Sequence, residues 1–446
     1  MTEPASSGLQ ETPSGFFAPA SAAYRWTVMV AAGLMLFGSY FAYDSISALS
    51  TLIMEGMDVG GTEIGLLDSF YSFPNFIMVL IGGILVDRFG TRIMSIVLSA
   101  FIVLGAVVTA LAPNLTVMLI GRVLLGMGSE SLIVCQSVIL AKWFKGRELA
   151  LSFGFVLTFM RLGSALSLNT LASASDAWGS YRSGLWLAAG VCAVSMLFAL
   201  AYVVLERNAL GRVKLAESDA GDKIVLSDVK KFDRRFWYIA LLCVTFYAAI
   251  FPFRTLAPDF FLTKWGVTLQ QGGRITSIFV VMSMILAPFI GGLVDRIGRR
   301  STLLILGAFL LIPSHAVMGL TELSPIYSMV VLGFSFSLVS AVLWPVVPLI
   351  VENKITGTAF GLIFMIQNIG LTLFPIANGA LLDRTAGYTA SQLMFASLGV
   401  FGLIFAYRLF VNDRRKGGVL ELGRGSAAEA GAESETASSE ISSAEG

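Results

Sequence analysis

One ten-residue stretch occurs twice in this chain, as GILVDRFGTR at residues 83–92 and as GGLVDRIGRR at residues 291–300. The two copies are 208 positions apart, and each follows a long apolar run. A second match, at an offset of 207, pairs Phe153 with Phe360, Gly154 with Gly361 and Gly163 with Gly370. Because two separate matches share nearly one offset, we expect the chain to consist of two parallel repeats.

The composition around these repeats is that of a membrane protein. Of 446 residues, 56% are hydrophobic and only 13% are charged, whereas soluble domains carry about 25% charged residues. A formal net charge of +1 argues against a nucleic-acid-binding protein, which needs a basic face. The isolated cysteines Cys135, Cys192 and Cys243, with one histidine in the whole chain, argue against a disulfide framework and a metal centre.

Twelve apolar runs are long enough to cross a bilayer as helices, which takes about 20 residues each. They cover residues 26–50, 63–86, 92–112, 115–141, 149–172, 183–205, 236–258, 273–294, 301–321, 325–351, 357–382 and 391–412. We therefore predict an all-α membrane protein with 12 transmembrane helices in two pseudo-symmetric six-helix bundles.

The runs divide the chain into five parts. We predict disordered tails at 1–24 and 413–446, bundles at 25–205 and 236–412, and a charged linker at 206–235. If both termini are cytoplasmic, most of the 30 basic residues lie on the cytoplasmic side, as the positive-inside rule requires. The tails and the linker are then cytoplasmic as well.

The repeated motif is suited to gating. Its glycines allow close approach of helices, and its Asp and Arg can bridge bundles or helix ends when the cytoplasmic side is shut. The residues expected to act in this gate are Gly83, Asp87, Arg88, Gly90, Arg92, Gly291, Asp295, Arg296, Gly298 and Arg300. The alternative is that they only anchor a tight turn at the positive side, but two copies at matching positions favour the gate.

In these features the sequence resembles the major facilitator superfamily, whose signature loop between spans two and three occurs here in both halves. The resemblance covers about residues 25–412. It implies the major facilitator fold and secondary transport by alternating access, and it says little about the substrate.

Two ionisable residues are predicted near the middle of the membrane, where a charge is costly and is by default a functional candidate. Glu130 lies 12 residues before Lys142, and Arg161 lies 13 residues after Glu148, which places both about 18–20 Å from the cytoplasmic ends of their helices. They can meet at the centre of the first half. A structural ion pair is the alternative, but such pairs often add little stability, so we favour a site for a substrate that carries both charges.

Weaker polar signals lie elsewhere. Asp44, Arg122 and Arg254 fall near the outer mouth, where they either pair across the halves or remain ordinary solvated helix ends. In the second half, Trp344 precedes Pro345 in span ten, and Gln367 and Asn368 lie in span eleven.

Short fragments resemble one branch of the superfamily, that of the vertebrate lysosomal dipeptide transporters. They lie at 37–44, 71–75, 128–132, 143–149, 161–164, 246–253, 343–345 and 366–368. The resemblance implies uncoupled, facilitated passage of dipeptides, with Glu130 and Arg161 in contact with the substrate. Further candidate substrate-binding residues are Tyr43, Asp44, Trp344, Gln367 and Asn368.

Two charges, Asp68 and Arg254, depart from what this branch is expected to carry, so the accepted side chains can differ. Relatives in the branch work with an accessory membrane glycoprotein, which nothing in this sequence indicates. We expect a monomer. We expect it in the plasma membrane, because the loops are short and no lysosomal sorting signal is evident.

Other functions remain as alternatives. A proton-coupled symporter or antiporter of organic anions or other small solutes would use Arg161 for the anion and Glu130 or Asp44 for the proton. A receptor with a transporter fold would have no need of charges in the membrane. We expect neither an enzyme nor a bound cofactor, because the chain has no phosphate-binding loop, nucleophile elbow or dinucleotide fingerprint.

Overall fold

The structure is a computed structural model that describes residues 18–19, 21–144, 148–210, 212, 229, 231–352 and 355–422. Within these ranges the chain forms thirteen α-helices, a short 3-10 helix at Val419–Glu421 and no strand. The helices are α1 (Ala22–Tyr43), α2 (Ser45–Met57), α3 (Gly61–Ser72), α4 (Asn75–Leu111), α5 (Leu115–Phe144), α6 (Leu149–Trp178), α7 (Tyr181–Ala209), α8 (Arg234–Trp265), α9 (Leu269–Ile297), α10 (Arg300–Leu320), α11 (Pro325–Ile350), α12 (Thr356–Thr385) and α13 (Thr389–Arg415).

The predicted all-helical membrane fold is confirmed. Eleven helical segments of the described residues are long and apolar enough to cross a membrane, and each of the twelve apolar runs corresponds to helical structure. The numbers differ because α4 includes the turn between the second and third runs. The first run is divided into α1 and α2 at Asp44, and the second into α3 and α4 at Pro74, where proline lacks the N–H that a continuous helix uses.

Both copies of the repeated motif reverse the chain at a glycine. Gly90 has φ 78° and ψ 159°, and Gly298 has φ 65° and ψ −121°. Residues with a Cβ rarely adopt such positive φ values, whereas glycine does so at little cost. This requirement explains why glycine occupies the same motif position in both halves.

Gly163 and Gly370, which the second sequence match pairs, have equivalent structural roles in the two halves. A Cβ added at Gly163 would collide with the Phe37 carbonyl, and one at Gly370 would approach Val244 Cγ2 to 2.7 Å. Phe37 and Val244 are themselves 207 positions apart. Glycine therefore allows α6 to pack closely on α1, and α12 on α8, as small residues do between membrane helices.

The helices extend beyond several predicted boundaries. Residues 22–24 belong to α1 and residues 413–415 to α13, although both segments were assigned to disordered tails. After α13 the chain folds back, and Glu421 caps the start of α10 by accepting a hydrogen bond from the Thr302 amide at 3.1 Å. These contacts give residues 416–422 an ordered path. Residues 1–17, 423–446 and most of the linker 206–235 lie outside the described residues.

Candidate substrate-binding site

Glu130 is held on α5 by bonds on either side of it. Ser129 accepts a hydrogen bond from Ser39 of α1 at 2.7 Å, and Ser131 donates one to the Met78 carbonyl of α4 at 3.0 Å. The two bonds fix the rotation of α5 about its axis at this level. Glu130 itself is partly exposed, so its carboxylate retains access to solvent within the bundle.

Arg161 on α6 is also partly exposed, and it forms no ion pair with Glu130. The two charges, which the sequence indicates can meet, are not in direct contact in this structure. The physical reason is the position of α1, which contacts α5 through Ser39 and α6 through Phe37. Tyr40 of α1 lies close enough to both charges for each to act on its hydroxyl.

The unpaired state of these two charges distinguishes between their two interpretations. A structural ion pair requires direct contact, which the structure does not contain. Two opposite charges that are separated and partly exposed can instead bind a ligand that carries an ammonium and a carboxylate.

The second half contributes aromatic rings near Arg161. The guanidinium carbon of Arg161 lies 4.8 Å from the centre of the Phe336 ring on α11. Trp344 on the same helix donates a hydrogen bond from Nε1 to the Tyr247 hydroxyl at 3.1 Å and stacks on Phe364 at 4.7 Å. Of these residues the sequence predicts a site role for Trp344, but for neither Tyr247 nor Phe336.

Gln367 and Asn368 are buried, and the hydrogen bonds they form are packing contacts. Gln367 accepts a weak hydrogen bond from the Cys243 thiol at 3.7 Å, and Asn368 donates to the Phe364 carbonyl of its own helix at 2.9 Å. The structure does not bring either amide into contact with Glu130 or Arg161. Their role in substrate binding stays a prediction.

Asp44 and Tyr43 lie in a different cluster. Asp44 forms an ion pair with Arg254 of the other half at 2.8 Å, and both side chains are almost fully buried. The Tyr43 ring contacts the guanidinium groups of Arg254 and Arg122, at 5.4 and 5.8 Å. Of the two alternatives for Asp44 and Arg254, the structure shows pairing across the halves and not solvated helix ends.

Asp68 completes this cluster. It forms an ion pair with Arg122 at 3.3 Å and accepts a hydrogen bond from Thr255 of the other half at 2.6 Å. Arg122 thus pairs within its own half and not across the halves. Two buried anions balance two buried cations, as burial of charge requires. We call Asp44, Asp68, Arg122 and Arg254 the closed-end cluster.

Two repeat-related carboxylates at this end were not identified from the sequence. Asp383 of α12 accepts hydrogen bonds from the backbone amides of Gly61 and Thr62, at 2.7 and 2.8 Å, and so caps α3 of the other half. Asp176 of α6 accepts from Gln270, near the start of α9. The two aspartates are 207 positions apart, so a systematic search at the repeat offset could have found them.

The repeated motif lies at the opposite end of the bundles. Asp87, Arg88, Asp295 and Arg296 are exposed, and none of them forms an ion pair with another described residue. A Cβ at Gly83 would meet only Val134, at 3.9 Å, and one at Gly291 would meet nothing within 4 Å. Arg92 is exposed, and Arg300 donates to the Leu422 carbonyl at 3.0 Å. The predicted gate is therefore not engaged in this conformation.

The hydrogen bonds and ion pairs between the two halves, among the described residues, lie at the end that contains the closed-end cluster. We call this end the closed end and the other the motif end. Glu130 and Arg161 lie between them. The conformation is one in which a central site is shut from one side.

Comparison with known proteins places the chain in context. Residues 29–260 and 248–437 match the family described as Major Facilitator Superfamily. The chain is 34% identical over 412 residues to the lysosomal dipeptide transporter MFSD1 of Danio rerio, covering 90% of this chain and 89% of that protein. It is 34% identical over 415 residues to the Homo sapiens protein of the same name, with the same coverage of 90% and 89%.

More distant similarities extend to other carriers. The chain is 23% identical over 388 residues to the hexuronate transporter of Bacillus subtilis, covering 83% of this chain and 91% of that protein. The solved structure of the nucleoside transporter NupG aligns with a TM-score of 0.70 and 14% identity, covering 86% of this chain and 99% of that one. A bacterial homologue of the human lysosomal transporter Spinster, inward-facing and occupied, aligns with a TM-score of 0.69 and 16% identity, covering 88% and 98%. At these identities the two structures show the fold alone.

Proposed function

The chain belongs to the major facilitator superfamily, and on that premise we propose that it carries dipeptides across a membrane by alternating access. The observation that carries the proposal is the pair of separated, partly exposed charges in the first half, Glu130 and Arg161, of which Arg161 contacts Phe336 of the second half. The relatives at 34% identity are named as dipeptide transporters, which supports the same substrate class.

A dipeptide at neutral pH is a zwitterion that matches this pair. Arg161 offers a planar fork of N–H donors for the terminal carboxylate, and Glu130 offers an acceptor for the terminal ammonium. Each residue adds about 3.5 Å to an extended chain, so the charged ends of a dipeptide are farther apart than those of an amino acid. A separated pair of protein charges favours the longer zwitterion.

Alternating access requires that the two ends of the interface close in turn. The closed end has its ties formed in this conformation, and the motif residues remain available to form theirs when the closed end opens. We propose that the ten motif residues act in that second closure. The exposed state of Asp87 and Asp295 is compatible with this role.

We infer that transport is uncoupled. A zwitterion neutralises Glu130 and Arg161 together, so the loaded site does not require a proton for charge balance. Uptake into proteoliposomes should then depend on the dipeptide gradient alone. A pH gradient that drives uptake against the dipeptide gradient would refute uniport.

We further propose a monomer in the plasma membrane with both termini and the motif end in the cytoplasm, because most basic residues lie on that side. The relatives carry lysosomal names, so the membrane needs its own test. A cysteine placed at Arg92 tests this orientation. Labelling by a reagent that crosses the membrane, with none in intact cells by a reagent that cannot cross it, supports the orientation. Labelling of intact cells by the reagent that cannot cross the membrane contradicts it.

A second candidate is a proton-coupled carrier of organic acids, favoured by the similarity to a hexuronate transporter. Arg161 would bind the acid, and Glu130 would take up the proton. This candidate predicts binding of carboxylates that have no ammonium group.

Thermal stabilisation of the purified protein distinguishes the two. A ligand at 100 times its Kd stabilises by about 2.7 kcal/mol, and the panel contains dipeptides, amino acids, tripeptides and organic acids. We expect a shift with dipeptides that Arg161→Ala and Glu130→Gln abolish. Arg182→Ala, an arginine outside the site, serves as the matched control and should keep the shift.

The other outcomes are equally informative. Shifts with organic acids alone would replace the dipeptide proposal with the second candidate. Absence of any shift with dipeptides in the wild-type protein would refute the dipeptide proposal.

A further inference from the structure

Arg161 contacts one aromatic ring of the second half. Its guanidinium carbon lies 4.8 Å from the centre of the Phe336 ring, and within the described part of the chain it forms no hydrogen bond or ion pair. A cation–π contact depends on the charge of the guanidinium, whereas a carboxylate binds to its N–H groups. The ring can therefore hold Arg161 while its donors remain available.

Phe336 is itself held firmly. It is 2% exposed and lies at the centre of an aromatic cluster drawn from three helices of the second half. Its ring is 5.2 Å from Phe279, 5.8 Å from Tyr247 and 5.9 Å from Phe251. Edge-to-face contacts of this kind restrict the orientation of a ring, so the surface offered to Arg161 is fixed.

We propose that Phe336 is a positioning residue for substrate recognition, which orients Arg161 so that its N–H donors bind the carboxylate of the substrate. The inference rests on the proposed function and deepens it. It assigns the carboxylate side of the site to residues from both halves, with the charge from the first half and the supporting ring from the second.

This arrangement has a consequence for specificity. A long arginine side chain without support loses conformational freedom when it binds a ligand, and that loss weakens binding. With the ring in place, part of this ordering is complete before the substrate arrives. The effect should be confined to substrates that have a carboxylate.

The test compares a free dipeptide with the same dipeptide amidated at its C-terminus, which keeps the ammonium and lacks the carboxylate. Phe336→Leu removes the aromatic face, and Phe336→Met does so while filling more of the volume. Phe336→Tyr keeps the face. Phe279→Leu is the matched control, since it removes a ring from the same cluster that lies next to Phe336.

We expect Phe336→Leu and Phe336→Met to weaken binding of the free dipeptide by about three- to thirtyfold. Binding of the amidated dipeptide should stay unchanged, and Phe336→Tyr should retain wild-type affinity for both. Phe279→Leu should weaken binding of the free dipeptide less than Phe336→Leu does, because the Phe336 ring still contacts Arg161.

If Phe336→Leu and Phe336→Met weaken the free and the amidated dipeptide equally, Phe336 is a packing residue and the inference is overturned. That result leaves the proposed function intact, because the wild-type protein still binds dipeptides. If the wild-type protein binds neither compound, the proposed function fails, and the assignment of Phe336 fails with it.

Discussion

The two ends of the interface between the halves are built from one duplicated unit, yet the halves meet differently at each end. At the closed end, Asp44 contacts Arg254 and Asp68 contacts Thr255 across the interface. At the motif end, the charges of the repeated motif form no such tie among the described residues. The two ends thus carry different sets of polar residues, and in this conformation only those of the closed end tie the described parts of the two halves together. A carrier needs ties at each end that are strong enough to close it and weak enough to break.

The largest effect is expected from Arg254→Met, which leaves Asp44 buried without its cation. Removal of one partner from a buried ion pair costs about 3–5 kcal/mol, so the closed end should open in more than about a hundred times as many molecules. A cysteine in place of Ser47, which contacts the Arg254 carbonyl at 2.6 Å, reports this opening through its rate of labelling by a soluble maleimide.

The matched control is the double variant Arg254→Met with Asp44→Leu, which removes both charges. Labelling in this variant should return towards the wild-type rate, since no unpaired charge remains. Equal labelling of Arg254→Met and the wild type would mean that the ion pair does not hold this end closed.

A smaller effect is expected from Asp383→Asn. The variant weakens three charge-assisted bonds to the start of α3, donated by the Gly61 amide and by the amide and hydroxyl of Thr62, and hydrogen bonds to charged groups are worth about 1.5–3 kcal/mol each. Because Asp383 is exposed, we expect a total of about 1–2 kcal/mol and an increase in labelling of about five- to thirtyfold. An unchanged rate would show that the cap of α3 forms without contributing to closure.

Asp176→Asn tests the repeat-related position. Asp176 is exposed and has one partner, Gln270, so we expect less than about 1 kcal/mol, as for other exposed polar pairs. The labelling rate should rise less than fivefold. If Asp176→Asn equals or exceeds Asp383→Asn, the two copies contribute equally, and the asymmetry that we infer from their contacts is wrong.

The smallest effect on stability is expected at the motif end. Asp87→Asn and Asp295→Asn remove carboxylates that have no ion-pair partner among the described residues, so the free energy of unfolding should change by no more than about 0.5 kcal/mol. Dipeptide transport should nevertheless fall, because closure of the motif end is impaired. A loss of stability as large as that of Asp383→Asn would show that these aspartates already form ties in the conformation described here.

The sequence predicts the helices of this fold well because the bilayer imposes a simple rule on length and polarity. The repeated motif located the turns at Gly90 and Gly298, where the backbone requires glycine. Glu130 and Arg161 were found because charges are rare within apolar runs. The same reasoning detected Asp44 and Arg254 but did not decide between pairing and solvated helix ends, which the structure resolves in favour of pairing.

What the sequence did not predict depends on packing between helices. The insertion of α1 between α5 and α6 separates Glu130 from Arg161, and no spacing along the chain reveals it. Phe336 lies among 33 phenylalanines, so composition and pattern do not distinguish it. Its role is visible only where the fold places its ring under the guanidinium.

The most direct test of the account is counterflow of a radiolabelled dipeptide into proteoliposomes that are preloaded with the unlabelled dipeptide, without a pH gradient. A carrier with a zwitterion site between its halves should accumulate the label transiently above equilibrium, and Arg161→Ala should abolish the accumulation. If the wild-type protein shows no accumulation, or shows it only when a proton gradient is imposed, the central claim of uncoupled dipeptide transport is contradicted.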